Sequence, residues 1–181
     1  MTLLIVIAMI ALLAVWVISV QNKLVRSDEI CNNALKQINV QQISRYDALR
    51  ALVKLTREYA AHEADTLRGI VEERKLVSSP APSAAQIDAN EAVLQEIGTR
   101  LMAVAEAYPD LKASANYRQT QEDLKGYEEH VRLSRMTFND TVTRYNQLVR
   151  TFPASLAAGI LGFSKRDYLA DDTAKKNYPD F

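Results

Sequence analysis

The sequence predicts an all-α protein: an N-terminal single transmembrane helix, then an antiparallel bundle of three long helices with a short C-terminal fourth helix. Three observations carry that expectation. Leu3 to Val20 is an uninterrupted apolar run without charge, Pro or Gly. The rest of the chain repeats apolar residues at alternating spacings of three and four, the rhythm of a helix buried along one face. The five Gly and five Pro fall mostly at segment ends, and no stretch alternates as an amphipathic strand would.

The apolar run is the first element. At roughly 1.5 Å per residue it just covers a hydrocarbon core of about 30 Å. A cleaved signal peptide is the competing reading. It wants a basic n-region, which Met1-Thr2 lacks, and a small-x-small exit, which Val17-Ile18-Ser19 supplies poorly. Residues 1–22 are therefore read as a retained anchor in the inner (plasma) membrane, with the bilayer as first partner. Lys23 and Arg26 directly after it favour a cytoplasmic bundle.

The bundle is expected over residues 23–163. Its first helix should run from Lys23 to about Val77, with a seam of Cys31, Leu35, Ile38, Gln42, Arg45, Leu49, Leu52, Thr56, Tyr59, Glu63, Thr66 and Ile70, widened by Tyr46, Val53 and Ala60. Ser78-Ser79-Pro80-Ala81-Pro82 stops it. Ser83 opens the second helix, with Gln86 completing a capping box, and Ile87, Asn90, Leu94, Ile97, Leu101, Val104 and Tyr108 as its seam. Pro109-Asp110 ends it. The third helix starts near Asn116 as cap and carries Tyr117, Thr120, Leu124, Tyr127, Val131, Ser134, Phe138, Thr141, Tyr145, Leu148 and Phe152 up to Pro153. Ala154 to Phe163 is apolar enough for the short fourth helix. Residues 164–181 read as an extended tail, partly disordered or anchored by Tyr168, Tyr178 and Phe181.

Composition excludes several function classes. The 22 basic and 22 acidic residues cancel, so no global field points to nucleic acid. The stretch from Lys23 to Arg57 is net basic, which suits an anionic leaflet or an ordinary solvated helix face. The single Cys31 forbids an internal disulfide and a cysteine metal cluster, and reads as a small buried hydrophobe.

Catalytic ingredients are missing. His62-Glu63 begins like a zinc-protease helix, but Thr66 stands where the second histidine belongs, and Tyr59 and Tyr127 precede the two histidines where a di-iron bundle needs Glu. The glycines are scattered singly, and no nucleophile elbow occurs. No metal, cofactor or catalytic residue is expected. What stands out is polar residues on inward seams: Gln42, Arg45, Glu63 and Asn90. They are either a register-fixing polar layer or the lining of a ligand cavity. Arg45 must be paired, within the bundle or across subunits, or must snorkel to water.

Several phrases together resemble the LemA family: Asn22-Lys23-Leu24-Val25, Gln37-Ile38-Asn39-Val40-Gln41, Arg45-Tyr46-Asp47, Ala105-Glu106-Ala107-Tyr108-Pro109-Asp110-Leu111-Lys112-Ala113, Arg144-Tyr145-Asn146, Gly159-Ile160-Leu161-Gly162-Phe163 and the final Asp180-Phe181. Leu35 stands where that family often has Trp, and Arg50-Ala51 where it often has Pro-Asn, which suggests a straighter first helix. The resemblance implies a helical bundle behind one membrane anchor; it brings no reaction. The expected function is a non-enzymatic membrane scaffold that forms homo-oligomers and contacts other membrane proteins. The alternative is a ligand-responsive sensor or hydrolytic enzyme with a polar site inside the bundle.

Overall fold

The computed structural model describes residues 1–73 and 79–170, with the side chains of Ala64, Thr66, Ile70, Glu72 and Glu73 outside that description. Among the described residues all regular structure is helical: α1 (Thr2–Thr56), α2 (Ala61–Glu73), α3 (Ala84–Ala107), α4 (Pro109–Ala113), α5 (Ala115–Arg150) and α6 (Ala154–Ile160). The apolar run occupies the start of α1, and Met1 to Val15 are exposed throughout. A long apolar helix that buries none of its most apolar stretch is not a core helix of a soluble domain.

The chain divides into two compact units. One comprises Met1–Ala34 with Thr137–Tyr168, the other Leu35–Met136 with the residues from Leu169 onward.

In the second unit the core gathers Leu49, Leu52 and Val53 of α1, Leu67 and Val71 of α2, Leu94, Ile97 and Leu101 of α3, and Leu111 and Tyr117. Leu49 approaches Gly98 so closely that a Cβ there would lie 3.9 Å from its Cδ2, an ordinary contact. Ser83 and Gln86 form the reciprocal capping box at the start of α3. Its buried residues are Ile87, Asn90, Leu94, Ile97, Leu101 and Ala105.

The first long helix departs from expectation. It stops at Thr56, without Pro or Gly, and α2 begins at Ala61. Arg57, Glu58 and Tyr59 donate their amides to carbonyls three residues back, a tight 3₁₀-type turn, and Thr56 turns its hydroxyl onto the Leu52 carbonyl at 2.9 Å. Tertiary contacts fix the break. Leu67 and Val71 enter the core beside Val53, and the Tyr46 hydroxyl donates to the Val71 carbonyl at 2.7 Å. The seam shifts by one residue across the turn: Ala60, Leu67 and Val71 are buried, whereas Tyr59 is exposed and Glu63 half-buried. The expected seam positions Thr66 and Ile70 lie outside the described side chains.

Two further boundaries differ. Pro109 opens α4 from its first turn, where its missing N–H costs nothing, and α5 starts at Ala115, so Asn116 is inside the helix rather than its cap. On α5 the buried face is Tyr117, Val131, Arg135, Phe138, Val142, Tyr145 and Asn146, and Phe152 beyond it points to solvent, 75% exposed. The expected seam residues Ser134 and Thr141 are each one residue short of the buried positions.

In the first unit, α6 buries Ala157 and Ala158. Gly162, at φ +78, ends it in the left-handed conformation, with the Phe163 amide reaching back to the Ala158 carbonyl at 2.9 Å. The segment after it has no regular structure but is pinned. The Tyr145 hydroxyl donates to the Ser164 carbonyl, and the Asn146 side chain both donates to and accepts from the Arg166 backbone at 2.9 Å. Tyr178 and Phe181 lie outside the described residues.

Candidate functional site

The second unit contains a polar layer built from three helices. Gln42 and Arg45 sit on adjacent turns of α1, so a helical spacing of three directs both to the same side. Gln42 is fully buried; its Nε2 donates to the Ile87 carbonyl at 2.9 Å and to Glu91 Oε2 at 3.1 Å. Arg45, only 6% exposed, donates through Nη1 to Glu91 Oε1 at 2.6 Å and through Nη2 to Glu128 Oε1 at 2.9 Å. One guanidinium thus joins α1, α3 and α5. Glu91 is better shielded than Glu128, so the Arg45–Glu91 pair is the stronger half.

A second arginine works nearby on the same helices. Arg135 of α5 donates from Nη2 to Asp88 Oδ1 at 2.8 Å and to the Ala170 carbonyl at 2.7 Å. Asp88 accepts the Ala170 amide at 3.2 Å, so Ala170 is tied to α3 and α5. Beside these pairs lies a cleft of about 220 Å³ lined by Arg45, Glu91, Met102, Tyr117, Lys125 and Glu128, among others. Burial raises the Tyr117 phenol above its ordinary range, so it stays a neutral wall.

The layer can hold charge and fix helix register. It has no histidine or thiol to move protons or attack a substrate, and among the described residues no three His, Cys, Asp or Glu side chains gather to bind a metal. The sequence model of the LemA family matches residues 34–181. The chain belongs to the LemA family. The match starts within α1, beyond the apolar run, so family membership rests on the helical domain alone. The chain is also similar to the magnetosome protein MamQ of Magnetospirillum gryphiswaldense, 29% identical over 75 residues. That match covers 41% of this chain and 28% of MamQ, so this LemA-family chain spans well under a third of that relative's length. Family and exposed apolar helix together make this a membrane-associated helical protein.

The remaining residues singled out by spacing are dispersed. Asn90 is buried on α3. Glu63, on α2, accepts the Tyr108 hydroxyl at 2.7 Å instead of facing Arg45. That bond, before any other cause, lowers the Glu63 carboxyl below its ordinary value and raises the Tyr108 phenol. Spacing missed Glu91, Glu128, Asp88 and Arg135. The available signal was charge: an inward Arg45 demands carboxylates, and Glu91 lies beside seam residue Asn90.

The first unit carries its own charge knot. Arg166 donates from Nε to Asp28 Oδ1 at 2.8 Å and from Nη2 to Asn32 Oδ1 at 2.7 Å, with its guanidinium 5.7 Å from the Tyr145 ring centroid. Cys31, one turn along α1 from Asp28, is fully buried, and burial pushes its thiol up.

Proposed function

We propose that this LemA-family chain is a single-pass bacterial inner-membrane protein whose helical bundle is a non-catalytic interaction scaffold, self-assembling on the cytoplasmic side. The observation that carries this reading is Arg45. Its Nη1 and Nη2 are taken by Glu91 and Glu128 of two other helices, so these inward charges act as a lock between helices rather than as a site awaiting substrate. The antiparallel order of the bundle is supported by Asp88 of α3 meeting Arg135 of α5 while Glu91, further along α3, shares Arg45 with the earlier Glu128.

Anchored copies are confined to two dimensions, so modest side contacts suffice for assembly through high effective concentration. The mass of the full-length protein in nanodiscs or mild detergent tests this. A concentration-dependent oligomer is expected; a monomer at every concentration overturns self-assembly. A phosphatase reporter fused after Phe181 should stay silent if the bundle is cytoplasmic. The likeness to MamQ, over a minor part of that protein, adds no specific role.

One observation favours a ligand-responsive reading instead, the cleft beside Arg45. Thermal-shift screening of the full chain against metabolite classes decides between them. A shift of several degrees with one class, lost in Arg45→Met, establishes a ligand site.

A further inference from the structure

The first unit holds a second apolar surface besides the anchor. Phe152, Leu156 and Ile160 are 75%, 60% and 87% exposed; a spacing of four puts Leu156 and Ile160 on one side of α6, and Phe152 lies in the turn that leads into it. The opposite side of α6 buries Ala157 and Ala158. Two large side chains on a helix of only seven residues, and a third in the turn before it, are costly to leave facing solvent unless something other than water covers them.

Their level along α1 follows from pairings within this unit. Arg166 bonds Asp28 at 2.8 Å and stands 5.7 Å from the Tyr145 ring centroid, which sets Tyr145 near the level of Asp28, while Thr141 of α5 is within hydrogen-bonding reach of Cys31; one turn forward along α5 therefore steps one turn back along α1. Extended to Arg150, that register reaches about Asn22, at the polar end of the apolar run. The chain then turns at 151–153, placing Phe152 and α6 level with the last turns of that run. The burial pattern of α1 agrees. Met1 to Val15 are exposed, Trp16, Val17 and Val20 are half-buried, and Leu24 is buried, so protein covers the end of the apolar run on one side. Lys23, Arg26 and Arg150 are exposed at the same level, where lipid phosphates would sit.

We infer that α6 is a lipid-contacting element: Phe152, Leu156 and Ile160 enter the leaflet beside the anchor, at the boundary of headgroups and acyl chains. The occupant is the bilayer because the α1–α5 register sets this surface level with the end of the anchor, and the basic collar has the sign that anionic headgroups require. Interfacial helices bury such a face by about 5–10 Å. The inference rests on the anchor spanning the bilayer.

The experiment uses the full-length chain, Cys31→Ala, in mixed phosphatidylcholine and phosphatidylglycerol vesicles, with nitroxides placed singly at positions 10, 156, 160 and 165. Collision with oxygen reports lipid and collision with a nickel chelate reports water. Positions 156 and 160 are exposed, so labels there displace nothing from the core. Positions 10, 156 and 160 should favour oxygen severalfold over Lys165→Cys, which should favour nickel. Nickel-favoured signals at 156 and 160 with oxygen at 10 overturn the inference and leave the anchor standing. Signals at 156 and 160 shielded from both reagents mean that a second copy covers the face, and also overturn it. A nickel-favoured position 10 removes the anchor and the inference with it.

Discussion

Arg45 and Arg166 both tie distant parts of the chain together, but the backbone beneath them differs. Arg45 grows from inside a 55-residue helix, about three turns before its end, where the helix's own hydrogen bonds fix its position, so two carboxylates are enough to hold its head. Arg166 sits on irregular chain with no helix to orient it, and the protein compensates at every part of the residue. Asn146 clamps its backbone, Asp28 and Asn32 take its guanidinium, and the Tyr145 ring lies beside it. A charge on a rigid element serves as a pin between helices, whereas a charge on irregular chain needs a socket built around it.

The strongest way to break the Arg45 side is to leave its cation without its better partner. Glu91→Ala strands a guanidinium that is largely withdrawn from water and also removes an acceptor from buried Gln42. A loss of about 3 kcal/mol is expected. In thermal melts followed by circular dichroism, that appears as a fall of about 10 °C in Tm. Arg45→Met should do less, about 1–2 kcal/mol, because Glu91 and Glu128 keep partial access to water and Met fills the apolar volume left by the arginine stem. If the two substitutions cost the same, burial of the guanidinium is not what makes this layer sensitive.

The socket around Arg166 should be more forgiving. Asp28→Asn keeps the shape and leaves Asn32, Asn146 and Tyr145 in place, and the pair is partly wet, so about 1 kcal/mol or less is expected. The local effect is easier to see than the global one. Amide exchange at residues 164–168 should quicken, and Cys31, whose thiol is raised first by burial, should alkylate faster at pH 8 than in the parent chain. Unchanged alkylation and exchange would mean that Asp28 contributes nothing to the socket.

The same contrast explains what could be read from sequence. α3 was legible to its cap, because Ser83 and Gln86 are a local signal and its apolar spacing meets no competing influence. The turn at residues 57–60 was not. Arg57-Glu58-Tyr59-Ala60 contains no breaker, and the chain bends there because Leu67 and Val71 have a core to enter on the return. Such a cause is tertiary, so periodicity continued through the bend and arrived one residue out of register. Arg45 was visible as an odd residue on an apolar face, but its partners required knowing which helices meet. Arg166 was invisible. Its partner Asp28 lies 138 residues away, and an irregular segment has no period to betray an inward residue. Phe152 shows the reverse error: helical spacing alone put it in the core, and its exposed position follows from the helix ending before it at Arg150.

The smallest expected effect belongs to Glu63, which spacing grouped with Arg45 and the fold does not. Its carboxyl is held below the ordinary value of 4.5, chiefly by the Tyr108 hydroxyl, while that phenol is raised above 10.0 by the same bond. A carboxylate with a depressed folded pKa adds stability that is fully present above its unfolded value and disappears as pH falls through the folded one. The phenol, raised on folding, contributes below its unfolded value and loses that contribution as pH climbs through the raised one. Glu63→Gln retains an acceptor but removes the charge, so it should flatten the decline of stability below pH 4.5 and leave neutral-pH Tm almost unchanged. Tyr108→Phe should flatten the same acid limb, since it removes the donor. Both groups are only half-buried, so solvent still screens the bond and keeps the change modest. If either variant instead lowers Tm at neutral pH as far as Glu91→Ala does, then α2 is held by this contact rather than by Leu67 and Val71, and the distinction between a buried pin and a wet tether fails at this point of the fold.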